Sequence, residues 1–234
     1  MTETVFYGSG FPYRQIKHMP GMLIVLEGTD GVGRSMQIDM LSHWLEEEGY
    51  AVSNTGLKRS PLTQPGLDEA KLGHTLSPLT LSLFYATDFT DRLENQIIPA
   101  LKAGFIVLSD RYFYSTIARD VVRGADPEWV RKVYGFALKP DLVLYLKADV
   151  PTLVTRMVNG RGFDYWESGM DIRCADNLYD SFCVYQDLLI RQFDQMAAEY
   201  GFVTIDATRP AEAINKDLQK LIRKSIGKHM HKAA

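Results

Sequence analysis

The sequence predicts an α/β protein in three layers, with helices flanking a five-stranded parallel sheet. Three observations carry that expectation. Five short apolar runs recur along the chain: MLIVLE at 22–27, YAVSNT at 50–55, FIVLS at 105–109, LVLYL at 142–146 and FVTID at 202–206. They are near-continuous rather than alternating, as strands buried on both faces are. Helix-like periodicity follows each run, the alternation from which parallel sheets are wound.

Each element has a local cause. After the first run, Ile38, Leu41, Trp44 and Leu45 share one face of RSMQIDMLSHWLEEEG, and Gly49 ends that helix. A long helix starts at Ser77 as N-cap with Pro78 in its first turn, and runs toward Ala103 and Gly104 with a kink at Pro99. Asp126 and Pro127 open another helix. Phe182, Tyr185, Leu189, Phe193 and Met196 mark an amphipathic helix over 178–200, and PAEAINKDLQKLI forms the last one. Segment 156–177 breaks the pattern: it is polar and carries three glycines. It reads either as a mobile flap over a ligand or as a passive connection.

With 234 residues and no internal repeat or low-complexity linker, one domain over 21–226 suffices. An N-terminal extension at 1–20 and a basic tail at 227–234, read as a frayed end, flank it. No apolar run approaches the roughly 20 residues of a bilayer span, so no membrane partner is expected. The opening MTETVFYGSGFPYRQIKHMPG lacks the pattern of an export signal, which points to the cytoplasm. A net charge of −3 without a basic stripe argues against a nucleic-acid partner. Cys174 and Cys183 have no metal spacing and read as packing thiols.

Chemistry concentrates between the first run and its helix. In EGTDGVGRSMQ (27–37), Gly28, Gly33 and Ser35 keep the spacing of the phosphate-cradling loop G-x-x-x-x-G-K-[ST], with Arg34 in the lysine position. Backbone N–H groups of Gly31, Val32, Gly33 and Arg34 would converge on an anion at the helix N-terminus, and Ser35 takes the magnesium position. A cation in a helix's first turn opposes the macrodipole at roughly 0.3–1 kcal/mol, a sign that a bound polyphosphate reverses. A guanidinium can also hold two oxygens at once, so Arg34 reads as gripping the β and γ phosphates; a decayed loop is the alternative.

A second cluster closes the third run. Asp110 is suited to orient Mg²⁺ or its water ligands, and Arg111 to project above the sheet edge, although a structural salt bridge would also explain the pair. The N-K-x-D guanine reader is missing, since NKDL at 215 has the wrong spacing. Past the second run stand Lys58 and Arg59 rather than a carboxylate. That favours an acceptor already anionic, a nucleoside monophosphate, over an alcohol needing a base.

These stretches resemble the thymidylate kinase family over about residues 22 to 225. EGTDGVGRSMQ is similar to its E-G-x-D-G-x-G-K-[ST]-T-Q, and Arg59-Ser60-Pro61 to its R-x-P. LFYATD followed by IIPALKAGFIVLSDRYFYST is similar to its run of aromatic, Asp, I-x-P-A-L and D-R-Y-x-x-S. The resemblance implies a P-loop nucleoside monophosphate kinase fold, a homodimer, and conversion of dTMP to dTDP with ATP and Mg²⁺. On matching positions, Gly28, Gly31, Val32, Gly33, Arg34, Ser35 and Met36 would cradle ATP, and Asp30 would approach the acceptor sugar and phosphate. Arg111 would bind the acceptor phosphate, and Arg156 and Arg161 would be the adenine-side and lid arginines. Tyr85 would stack on thymine, worth about 1–3 kcal/mol, unless it is simply core.

Four positions depart from the family pattern. Arg34 replaces lysine, and Met36 replaces the threonine after Ser35. Phe89 stands where an arginine reads the thymine carbonyl, and Arg119 where a tyrosine discriminates deoxyribose. The first two bear on rate and the others on base and sugar choice. A nucleotide-binding regulator without transfer, and a kinase of the same fold with a non-thymidine acceptor, are the competing readings. The sequence offers no role for FYGSGFP in the extension.

Overall fold

Strand β1 (Met22–Glu27) is buried along its whole length and occupies the centre of the sheet. The computed structural model describes residues 6–13, 16, 19–73 and 76–233. The other strands are β2 (Val52–Gly56), β3 (Ile106–Asp110), β4 (Leu142–Lys147) and β5 (Val203–Asp206), in the spatial order β2-β3-β1-β4-β5. All neighbours pair parallel; β1 aligns Met22 with Ile106 of β3 and Ile24 with Leu142 of β4. The chain winds outward to β2, returns to β3, then crosses β1 to β4. Crevices for ligands open at the carboxyl end of such a reversal.

Period-2 alternation sends β1 side chains to two cores. Leu23 and Val25 join the cluster containing α3 (Pro78–Arg92), α5 (Phe113–Val122), α6 (Pro127–Val133) and α8 (Leu178–Tyr200). Met22, Ile24 and Leu26 join α1 (Arg34–Glu47), α7 (Val150–Val158) and α9 (Ala211–Ala233) on the opposite face. The short helices α2 (Gln64–Leu72) and α4 (Ile98–Lys102) complete the set. The chain therefore has the P-loop NTPase fold: a parallel five-stranded sheet between two helical layers.

Two expectations are corrected. Where a kink at Pro99 is expected, Leu93–Ile97 form a π-helical stretch just before the proline, between α3 and α4. Proline lacks an N–H and its ring collides with the carbonyl of residue i−4, and the wider turn relieves both. The basic tail is helical rather than irregular over its described residues: α9 continues through 227–233. Buried Ile214, Leu218, Ile222 and Ile226 repeat every four residues along α9, and His229 Nε2 lies 3.1 Å from the Pro20 carbonyl oxygen.

Candidate active site

The loop between β1 and α1 is shaped by glycine. Gly28 (φ 146°) passes so close to β4 that a Cβ there would stand 2.5 Å from the Leu146 carbonyl oxygen. Gly33 (φ 94°) enters α1 in the left-handed region, and no side chain caps the helix. The first amides of α1 are thus without a capping acceptor, as an anion site requires. The loop faces a cleft of about 840 Å³ walled by α3 and α5 and by segment 159–177.

Beneath the loop, Asp110 accepts from Arg34 Nε (2.9 Å) and from Ser35 Oγ (2.8 Å). Arg34 Nη1 donates to the carbonyls of Gly28 (2.6 Å) and Thr29 (2.5 Å). Arg34 is buried and turned back under the loop. The reach toward β and γ phosphates expected of it is not the arrangement observed, because a desolvated guanidinium seeks its nearest anion. Burial alone would raise the Asp110 carboxyl, but the charges of Arg34 and Arg111 and the bonds from Ser35 and Arg34 hold it below the usual range.

Asp30 closes the other side of the loop. It accepts from Arg111 Nη2 (2.5 Å) and, through both oxygens, from Arg119 Nη2 (3.2 and 3.1 Å). Burial opposes its charge, yet Arg111, Arg119 and Arg34 hold the carboxyl far below the ordinary value. Burial and the neighbouring Arg34 push the Arg111 guanidinium down to about 10. Burial would lower Arg119 too, but Asp30 and Tyr85 raise it. Arg111 also donates to Gly28 O (3.0 Å) and Ser115 Oγ (2.9 Å), and holds a positive φ of 72°. Fully buried Glu27 accepts from Ser115 Oγ (2.6 Å) and from the Tyr112 N–H (2.8 Å), and burial raises its carboxyl despite those bonds.

Asp30, Gly31, Val32, Gly33, Arg34, Ser35, Met36, Tyr85, Arg111, Arg119 and Arg161 line the cleft together. Asp110 and Gly28 lie behind them, bonded to Arg34. Arg156 ties the loop to the end of β5, donating to Val32 O (3.1 Å) and Ala207 O (2.7 Å). Two expected substrate contacts fall elsewhere. Phe89 is fully buried, its ring packed on Tyr112 (4.8 Å between centroids), Tyr134 (5.7 Å), Phe136 (5.8 Å) and Phe113 (6.0 Å). It faces the apolar core, not the cleft, because that side of α3 packs on α5. Arg59 is exposed, with its guanidinium over Gly56, while Lys58 (φ 59°) lines the cleft and pairs with Asp68. The turn is set by Asp88, which accepts from the Lys58 N–H (3.0 Å) and Ser60 N–H (2.9 Å) and pairs with buried Arg92.

Sequence reasoning missed a roof. Lys71 on α2 places its ammonium 5.3 Å from the Tyr85 ring centroid and 5.5 Å from that of Trp166, whose indole N–H donates to Lys71 O (3.2 Å). Arg123 binds Asp171 (2.7 Å) and the Trp166 carbonyl (3.3 Å), clasping segment 159–177 to α5. Within segment 156–177, Arg161 and Asp164 to Glu167 line the cleft. Asp88, which sets the turn at Lys58, is the last residue of LFYATD.

A nucleotide-sized cleft at the reversal point of a parallel sheet, with an amide cradle at one end and paired guanidinium groups beside it, belongs to the P-loop phosphotransferases. Comparison with known proteins narrows that class. The thymidylate kinase family model matches residues 26–218, and the chain belongs to this family. It is 39% identical over 214 residues to "Probable thymidylate kinase 2" of Saccharolobus solfataricus, covering 91% of this chain and 98% of the relative. "Probable thymidylate kinase" of Thermococcus kodakarensis is 38% identical over 149 residues, covering 58% of this chain and 71% of that protein. The relative of that description from Thermococcus gammatolerans is 29% identical over 220 residues, covering 88% and 98%. The chain is accordingly a nucleoside monophosphate kinase. Among the described residues no helix is long and apolar enough to cross a membrane.

Proposed function

We propose that the protein transfers the γ-phosphoryl group of ATP to dTMP, yielding ADP and dTDP. The observation that carries this reading is the Asp30–Arg111–Arg119 cluster beside the phosphate loop, in one cleft with the Tyr85 ring. Amides of Gly31 through Ser35 hold the donor phosphates. Arg111 and Arg119 screen the repulsion between donor and acceptor anions, and Asp30 keeps both guanidinium groups aligned. Lys58 takes the acceptor-side role expected of Arg59, and Tyr85 offers a ring face to the base. Arg34 neutralises Asp110 and braces the loop carbonyls, and its Nη2 remains for phosphate. Arg161, paired with Glu167 on the roof (2.6 Å), supplies a cation from the opposite wall.

The adjacent Ser35 hydroxyl and ionised Asp110 carboxylate are hard oxygen donors that fit Mg²⁺, which takes few protein ligands beside water and phosphate. Ser35 and Asp110 would hold such an ion, which would supply neutralisation of the donor's phosphate charge. We place the enzyme in the cytoplasm; for a homodimer, the support is Leu79 and Leu83 of α3 and Val184 and Leu188 of α8, apolar side chains left exposed. ADP release measured over all ribo- and deoxynucleoside monophosphates tests the reaction. dTMP should give the highest kcat/KM, and turnover by none of them would overturn the reading.

A further inference from the structure

The extension segment FYGSGFP lies outside the family match, and the transfer chemistry leaves it without a task. It is nevertheless built tightly onto the core. The Tyr7 N–H donates to Ala137 O (3.0 Å) and the Gly8 N–H to Gly135 O (2.7 Å), while Phe6 bridges Leu138 antiparallel. Backbone meets backbone here: a Cβ on Gly8 would stand 2.9 Å from the Gly135 Cα. The Tyr7 ring packs edge-on against Phe113 (5.2 Å), Tyr114 (6.0 Å) and Tyr200 (5.4 Å). Its hydroxyl meets that of Tyr114 at 2.5 Å.

Phe113 and Tyr114 are the first turn of α5, whose other face serves the cleft. Ser115, the next residue, accepts from Arg111 and donates to Glu27, and Arg119 one turn on holds Asp30. No side chain of the N-cap residue, Tyr112, closes this helix end. Its position depends on Glu27 inside and on aromatic packing outside. Arg111, just before it, has a left-handed backbone conformation that persists only where surroundings enforce it.

We propose that Tyr7 is a positioning residue for phosphoryl transfer. It backs the first turn of α5, keeps Ser115 in register, and so holds the Arg111 guanidinium on the acceptor side of the phosphate loop. This rests on the role given to Arg111 above. The extension is then an outer brace of the acceptor site and has no contact with substrate.

Full-length Tyr7→Ala, Tyr7→Leu and Tyr7→Phe proteins test it, assayed well below their melting temperatures. Tyr7→Ala and Tyr7→Leu should raise KM for dTMP about tenfold, since displacements near 1 Å cost up to about a hundredfold. Calorimetric Kd for ATP should stay within about twofold, because the loop amides are not backed by Tyr7. Tyr7→Phe keeps the ring and should restore most of the loss. A lower melting temperature with unchanged dTMP KM, or an ATP Kd weakened in step with it, would overturn the proposal by making the brace purely structural. Should wild-type protein bind dTMP without turning it over, the kinase reading fails by itself. The same variants are then compared by calorimetric dTMP Kd, with the same split deciding.

Discussion

The floor and the roof of the cleft hold their charges in opposite ways. On the floor, Asp30, Asp110, Arg34 and Arg111 are all at least nine-tenths buried and each meets an opposite charge. On the roof, Arg161 is 63% exposed and reaches one partner, Glu167. Removing one member of a buried pair leaves a desolvated charge behind, whereas an exposed pair is worth little beyond its geometry. The floor therefore couples function to stability more tightly than the exposed Arg161 does, while the Arg123–Asp171 clasp of the roof is nearly as buried as the floor.

Arg111→Ala should break both at once. With Asp30 left to Arg119, turnover should fall more than about a hundredfold, and stability by about 3 kcal/mol. Steady-state kinetics and urea unfolding read the two, and a stable but inactive protein would mean that the floor is not coupled. Next in size is Arg34. Arg34→Ala strands Asp110 and should lose most activity, while Arg34→Lys, which keeps the charge without the fork, should retain a measurable part. Equal rates for all three proteins would remove Arg34 from the chemistry.

Acid should find the floor as well. Asp30 and Asp110 titrate below the ordinary carboxylate value of about 4, so their stabilisation is complete above it and disappears as pH falls through the lower folded values. Glu27 has the opposite sign: raised by burial, its contribution is present when protonated and is lost as pH rises through its folded value. Urea midpoints across acid pH should therefore drop less steeply in Asp30→Asn than in wild type. A smaller effect separates neighbours at the acceptor side: Lys58→Ala should raise dTMP KM several-fold and Arg59→Ala should hardly change it. The reverse result would restore Arg59 to the site. Smallest for stability is Arg161→Ala, expected within about 0.5 kcal/mol of wild type in urea while kcat falls.

How far the site could be read in advance follows the same division. Phosphate-loop residues were legible because their function lies in backbone shape: Gly28 and Gly33 sit at fixed spacing between a strand and a helix, whatever surrounds them. Asp110 and Arg111 were legible because a buried strand ends there. Phe89 and Arg59 were misplaced for separate reasons: Phe89 lies on the side of α3 that packs on α5, a contact between distant segments, and the left-handed turn at Lys58 decides which of the two neighbouring cations faces the cleft. Lys71 and Trp166 carried no signal, as their contact joins residues 95 apart in the chain.

Amino-acid order alone determined the apolar strands, the helices between them and the amide cradle, since each depends on periodicity or dihedral freedom within a few residues. Folding in three dimensions decided where the charges went. Arg34 pairs with Asp110 beneath the loop while still lining the cleft, Lys58 rather than Arg59 lines it at the second turn, and Tyr7 came to rest behind α5. A buried ion takes whichever counter-charge the fold brings within reach, and an aromatic ring takes whichever gap the packed helices leave. Neither choice exists until distant segments meet.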